Sequence, residues 1–143
     1  MTHMANAKYN NLTVVMASGW FSWAGDPIVA LLMTDVVFDV NDATTDDAGG
    51  TRMQVVPVTG RSVGADGALL GRAVSFNNMP KDTEFQMLIA RDVGPDSPLQ
   101  LLSFYDVGEA DEPLSLKNNG TLIVRPEAVQ PTPDTGAGIW VKI

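Results

Sequence analysis

Apolar residues arrive along this chain in runs of four to seven, and the residues between the runs are mostly Asp, Asn, Gly and Pro, which reverse a backbone. That punctuation predicts strands over Ile28 to Met33, Val36 to Val40, Arg52 to Val58, Ala73 to Phe76, Glu84 to Arg91, Leu99 to Asp106, Thr121 to Arg125 and Ile139 to Ile143. In Leu99 to Asp106 the odd positions read Leu, Leu, Ser, Tyr and the even ones Gln, Leu, Phe, Asp, so neither face is cleanly polar. Around the middle of Glu84 to Arg91, Phe85, Met87 and Ile89 alternate with Gln86, Leu88 and Ala90. Strands of this kind are covered on both sides, which two packed sheets explain. The connections are too short for helical crossovers, so the pairing is expected to be antiparallel. Pro57 and Pro126 fall at strand ends, where a missing N–H is tolerated. Only the segment Ala7 to Ala17 has helical spacing, with Tyr9, Leu12 and Met16 as its inward stripe, Asn6 as N-cap and Gly19 as stop. The expectation is a mainly β chain: an antiparallel β-sandwich with one short N-terminal helix.

Composition fits one domain over residues 1–143, with 45% hydrophobic residues to fill its core. An arm and helix over about 1–18 precede it, and a Pro-rich surface loop over about 126–137, carrying Pro131 and Pro133, interrupts it late. Nine basic and 17 acidic residues give −8, a field that repels phosphate and argues against nucleic acid as a partner. With no cysteine there is no disulfide, thiolate metal site or cysteine nucleophile. The first residues, Met1 to Asn6, lack a basic patch followed by an apolar stretch, so no cleaved leader is expected. The most apolar run, Ile28 to Met33, is far short of the roughly 20 residues that span a bilayer.

Catalytic chemistry is hard to assemble. The one histidine, His3, stands close to the first residue, and no serine lies in a Gly-x-Ser-x-Gly elbow. Gly60, Gly64, Gly67 and Gly71 are not followed by Gly-Lys-Ser/Thr and read as bends. The acidic stretch Asp39, Asn41, Asp42, Asp46, Asp47 departs from a calcium loop, because Ala43 and Thr44 fill the fifth and sixth positions from Asp39. It reads as solvated turns, and so do Glu109, Asp111 and Glu112. Neither a catalytic residue, a metal nor a cofactor is therefore expected. Trp20-Phe21-Ser22-Trp23 is more unusual, with two of the three tryptophans within four residues. Such a cluster serves as a core plug, a protein-binding anchor or a sugar platform. Trp140, in the closing strand, is expected in the core.

Read in order, several segments resemble a family of small structural proteins from the virions of tailed bacteriophages. Lys8-Tyr9-Asn10 with the following helix leads into Ile28 to Leu32, and a glycine-rich turn, Thr59 to Leu69, precedes the next strands. Phe85 to Asp92 is then paired with Pro98 to Gly108, and Asn119 to Val124 and Gly138-Ile139-Trp140 complete the likeness. The family's Gly-Tyr pair in the glycine turn and its Trp near Val74 to Asp82 are missing here. The resemblance implies a non-enzymatic virion component, expected to be a capsid decoration or cement protein. It would be made in the host cytoplasm, sit on the capsid surface, bind the major capsid protein and self-associate as a dimer or trimer. Tyr9 in the arm, Pro131 and Pro133 in the loop, and Trp20, Phe21 and Trp23 are the expected contacts. A tail or baseplate protein and a carbohydrate-binding module, the latter using the tryptophans and calcium at Asp39 to Asp47, are the alternatives.

Overall fold

Ile28, Ala30 and Leu32 point to one side of their strand and Val29, Leu31 and Met33 to the other, and the two sets belong to separate apolar cores. The structure, a computed structural model, describes residues 7–106, 112–126 and 137–141. In chain order its elements are β1 (Ala7–Lys8), α1 (Asn10–Ala17), β2 (Ile28–Thr34), α2 (Thr45–Ala48), β3 (Thr51–Pro57), β4 (Ser62–Val63), β5 (Leu69–Arg72), β6 (Val74–Met79), β7 (Gln86–Arg91), β8 (Gln100–Tyr105), β9 (Gly120–Val124) and β10 (Ala137–Val141). Among the described residues all ladders are antiparallel. They form a five-stranded sheet ordered β1-β8-β7-β2-β3, a three-stranded sheet β10-β5-β4 and a two-stranded sheet β6-β9. The mainly β, sandwich-like architecture with a short N-terminal helix is the one the sequence predicts.

The larger core lies between the five-stranded sheet and the smaller ones. Ile28, Ala30 and Leu32 of β2 and Met87 and Ile89 of β7 meet Leu69 of β5, Phe76 of β6, Leu122 of β9 and Trp140 of β10 there. The opposite face of the same sheet is covered by chain without strand structure. A strap from Asp35 to Ala48 crosses it, and Val36 and Ala48 pack on Leu31, Met33, Leu88 and Phe104. Phe38 sits 5.0 Å from the Tyr9 ring and 5.1 Å from Phe104. The apolar character of both faces of β7 and β8 thus has two causes, a second sheet on one side and this strap on the other.

Val36 to Val40 is therefore not a strand, contrary to the sequence expectation. Asp35 takes φ +61, which turns the chain out of the ladder at once. Val36 N–H then donates to the Gln86 side chain at 3.0 Å instead of to a neighbouring strand. Two further corrections concern the N-terminal segment. Residues Ala7 and Lys8 pair with Phe104 and Ser103, so the helix begins only at Asn10, with Tyr9 as its N-cap. Its inward residues are Leu12 and Val15, whereas Met16, expected inside, is 38% exposed. Asn6, the expected N-cap, and residues 142–143, the expected end of the last strand, lie outside the described residues. Gly19 does end the helix, at φ +78.

Register shifts interrupt four of the ladders among the described residues, β2–β3, β6–β9, β7–β8 and β5–β10. Between Ile89↔Ser103 and Ala90↔Leu101 the register shifts, leaving Leu102 as the extra residue of β8. Its carbonyl accepts the Tyr9 N–H at 3.1 Å, while the Asn11 side chain donates to Leu101 O at 3.1 Å. Together with Thr45 N–H to Leu99 O at 3.0 Å and Leu101 N–H to Ala43 O at 2.9 Å, these bonds close the outer edge of β8. In β10 the shift between Ile139 and Val141 isolates Trp140 in the same way.

Candidate functional site

The turn between α1 and β2 presents the aromatic cluster and splits it. Trp23 is 2% exposed and its indole N–H donates to Leu70 O at 2.8 Å, so this ring is a plug under the second layer. Trp20, three residues earlier, is 84% exposed. Phe21 lies between them, partly buried against the larger core.

What holds Trp20 outward is a set of polar ties to the backbone beneath it. Ser18 Oγ donates to Val15 O at 2.6 Å and accepts the Trp20 N–H at 3.3 Å, fixing the step out of the helix. On the far side of the turn, Asp26 Oδ2 accepts Ser22 N–H at 2.8 Å and forms an ion pair with Arg91 Nε at 3.1 Å. Arg91 carries its guanidinium 6.0 Å from the centre of the Phe21 ring. Arg61 reaches in from the loop before β4, and its Nη1 donates to Trp23 O at 2.6 Å and to Asp26 O. Burial lowers the Arg61 pKa and Asp26 draws it back up, and a guanidinium stays charged in either case. A large aromatic ring in water on a turn pinned this firmly loses little further freedom when a partner covers it.

Tyr9 and Trp23, both expected to touch a partner, are corrected to interior positions. Tyr9 is 1% exposed, its ring locked between the strap and β8, so it can orient α1 but cannot face outward. Its hydroxyl is buried and has no hydrogen-bond partner among the described residues, and burial together with the charges of Asp42 and Asp39 raises its pKa. Pro131, Pro133, His3, Glu109 and Asp111 lie outside the described residues. Glu112 is exposed.

The acidic stretch is spent on local structure. Asp47 Oδ2 accepts the N–H groups of Ala43 and Thr44, each at 3.1 Å, in the capping box of α2, and these bonds hold its pKa below the ordinary carboxylate value. Asp39 Oδ1 accepts Asn41 N–H at 2.9 Å. Among the described residues no three His, Cys, Asp or Glu side chains converge as metal ligands. No described helix is long and apolar enough to cross a membrane.

Residue types alone do not single out the outward side of α1. Val14 is 65% exposed and Met16 38%, on opposite flanks of the helix. The signal is present as an absence, because no Asp, Glu, Lys or Arg occurs from Tyr9 to Gly25. Compared with known protein families, curated proteins and solved structures, the chain matches none.

Proposed function

We propose that this protein is a structural component of a bacteriophage virion, a decoration or cement protein that binds the outer face of the assembled major capsid lattice and bridges its subunits. The observation that carries the reading is Trp20, an 84% exposed tryptophan on a turn braced by Arg61, Asp26 and Arg91. Tryptophan in such a setting is the side chain most enriched where proteins grip one another. The resemblance of the ordered segments from Lys8-Tyr9-Asn10 to Gly138-Ile139-Trp140 directs that grip to a virion.

Binding to the assembled shell but not to separated subunits stabilises the shell by linkage, about 2.7 kcal/mol per site when free protein is at 100 times its dissociation constant. Repetition over many equivalent sites makes a modest contact sufficient. Self-association as dimers or trimers belongs to the same proposal, with the lattice holding together copies that each carry a charge of −8. Co-sedimentation of the purified protein with empty shells and with separated capsid subunits tests it. Saturable pelleting with shells alone is expected. Protein that stays in the supernatant, or that labels only the tail of intact particles, contradicts the capsid assignment. Binding to immobilised glycans in place of shells would assign Trp20 to sugar stacking instead.

A further inference from the structure

Of the asparagines in the chain, only Asn119 is followed by glycine. Asparagine is among the thermolabile side chains, because the backbone nitrogen that follows it attacks the side-chain amide. A side chain on the following residue crowds that attack, and glycine has none. Asn119 is exposed, on the bend that leads into β9. Space around Gly120 is open: a Cβ built there meets nothing within 4 Å, and its φ lies outside the left-handed region.

The bend also holds the amide in a fixed pose. Lys81 N–H donates to Asn119 Oδ1 at 2.8 Å. That bond polarises Cγ, and the same donor is in place for the negative charge the oxygen takes up when Cγ is attacked. The attacking nitrogen stands at an end of regular structure. Met79↔Gly120 is the outermost pair of the β6–β9 ladder, separated from Phe76↔Leu122 by a register shift. A single pair beyond an irregularity opens at lower cost than the ladder behind it. Leu122 and Val124, which anchor β9 in the larger core, stay where they are when it opens.

We infer that Asn119-Gly120 is a site of spontaneous modification, at which the Gly120 nitrogen closes on Asn119 Cγ and water completes the conversion to isoaspartate and aspartate. The Gly120 amide gives its proton to hydroxide, a bond forms between that nitrogen and Cγ, and the Cγ–Nδ2 bond breaks with Nδ2 leaving as ammonia. Nothing is oxidised or reduced. Water then opens the resulting succinimide ring at one of its two carbonyls. Opening at the main-chain carbonyl leaves the backbone running through Cγ, as isoaspartate, and opening at Cγ leaves aspartate. By either route a neutral amide becomes a carboxylate, and the net charge goes from −8 to −9. This chemistry needs no partner and stands apart from shell binding.

Folded wild type, Gly120→Ala and Asn119→Gln are held in mildly alkaline buffer and sampled over time. Anion exchange separates the charge variants, and peptide mass spectrometry with enzymatic isoaspartyl methylation identifies the residue and its product. Wild type is expected to gain one negative charge, located at Asn119, mostly as isoaspartate, at a rate that rises in proportion to hydroxide. Gly120→Ala is expected to react at least about tenfold more slowly, since the added methyl crowds the ring-closing geometry. Its melting temperature should be unchanged, because that methyl has room in the fold. Asn119→Gln, whose ring would need a sixth member, should show no early charge variant. Folded wild type whose Asn119 outlasts Asn118 overturns the modification site. So does a product that is aspartate alone, a Gly120→Ala chain that changes as fast as wild type, or a reaction seen in urea and not in the folded chain.

Discussion

The hydroxyl of Tyr105 lies inside the larger core, where a polar atom is tolerated only if it is bonded. It accepts from Ser103 Oγ at 3.0 Å and donates to the carbonyl of Trp140. That carbonyl needs a donor because the bulge in β10 removes Trp140 from the ladder with β5. The Trp140 indole N–H donates in turn to Arg72 O at 3.2 Å, and its ring meets Tyr105 edge-on at 5.5 Å. Five-stranded sheet and second layer are thereby joined through one phenol. Replacing Tyr105 by Phe keeps the ring and strips the bond, leaving a buried serine hydroxyl and a buried carbonyl short of partners. The expected cost is about 1–3 kcal/mol, read as a lower urea midpoint at unchanged slope. Gly71 shows the same closeness of packing, since a Cβ there would stand 2.9 Å from Trp140 Cδ1. No spacing rule applied to the sequence exposes either contact, because both are made between segments far apart in the chain.

At the scale of elements, what can be read in advance is what depends on period. β2, β7 and β8 announce themselves as two-sided strands because Ile28 to Met33, Phe85 to Ala90 and Leu99 to Tyr105 have no polar face to give to water. β4 and β5 are hidden, being two and four residues long inside a glycine-rich stretch that has no periodicity of its own. The strap reads as a strand because Val36, Val37 and Phe38 are good strand formers, yet their fate is settled by the positive φ of Asp35 and by Gln86, which caps Val36. The aromatic cluster is visible, but the outward Trp20 and the inward Trp23 cannot be told apart without the layer above. The strap also carries opposed titrations. Asp47, hydrogen-bonded by α2's cap, has its pKa lowered, so its contribution to stability is present above the ordinary carboxylate value and lost as pH falls through its own lower one. Asp42 runs the other way: burial first, then Asp39 and Asp47, raise its pKa. Its charged form therefore costs stability above that raised value, and the cost vanishes on acidification as the folded chain takes up the proton. Asp42→Asn should raise the urea midpoint at about pH 7, by the equivalent of roughly 0.5 kcal/mol or less after solvent screening, with no gain left at about pH 3. A gain that persists unchanged at the lower pH would refute the charge origin of the effect.

For the whole molecule, charge and apolar surface act against each other. The net charge of −8 keeps copies apart at neutral pH although Trp20, Val14 and Met16 stand in water, so free protein is expected to be monodisperse there. The charge is lost near the isoelectric point of about 4.3. Repulsion then disappears while the exposed Trp20, Val14 and Met16 are unchanged, and uncompensated apolar area governs how copies meet. The pKa of Asp47 lies below the ordinary carboxylate value, so its capping bonds persist at that pH. Light scattering of the free protein should therefore climb as pH is lowered toward about 4.3 while the near-ultraviolet circular dichroism of the buried Trp23 and Trp140 holds steady. Trp20→Ser carries the same charge at every pH and should blunt the rise. If its scattering instead follows wild type, the contact that forms when the charge is removed lies on another face, and Trp20 has no special part in how this surface meets its neighbours.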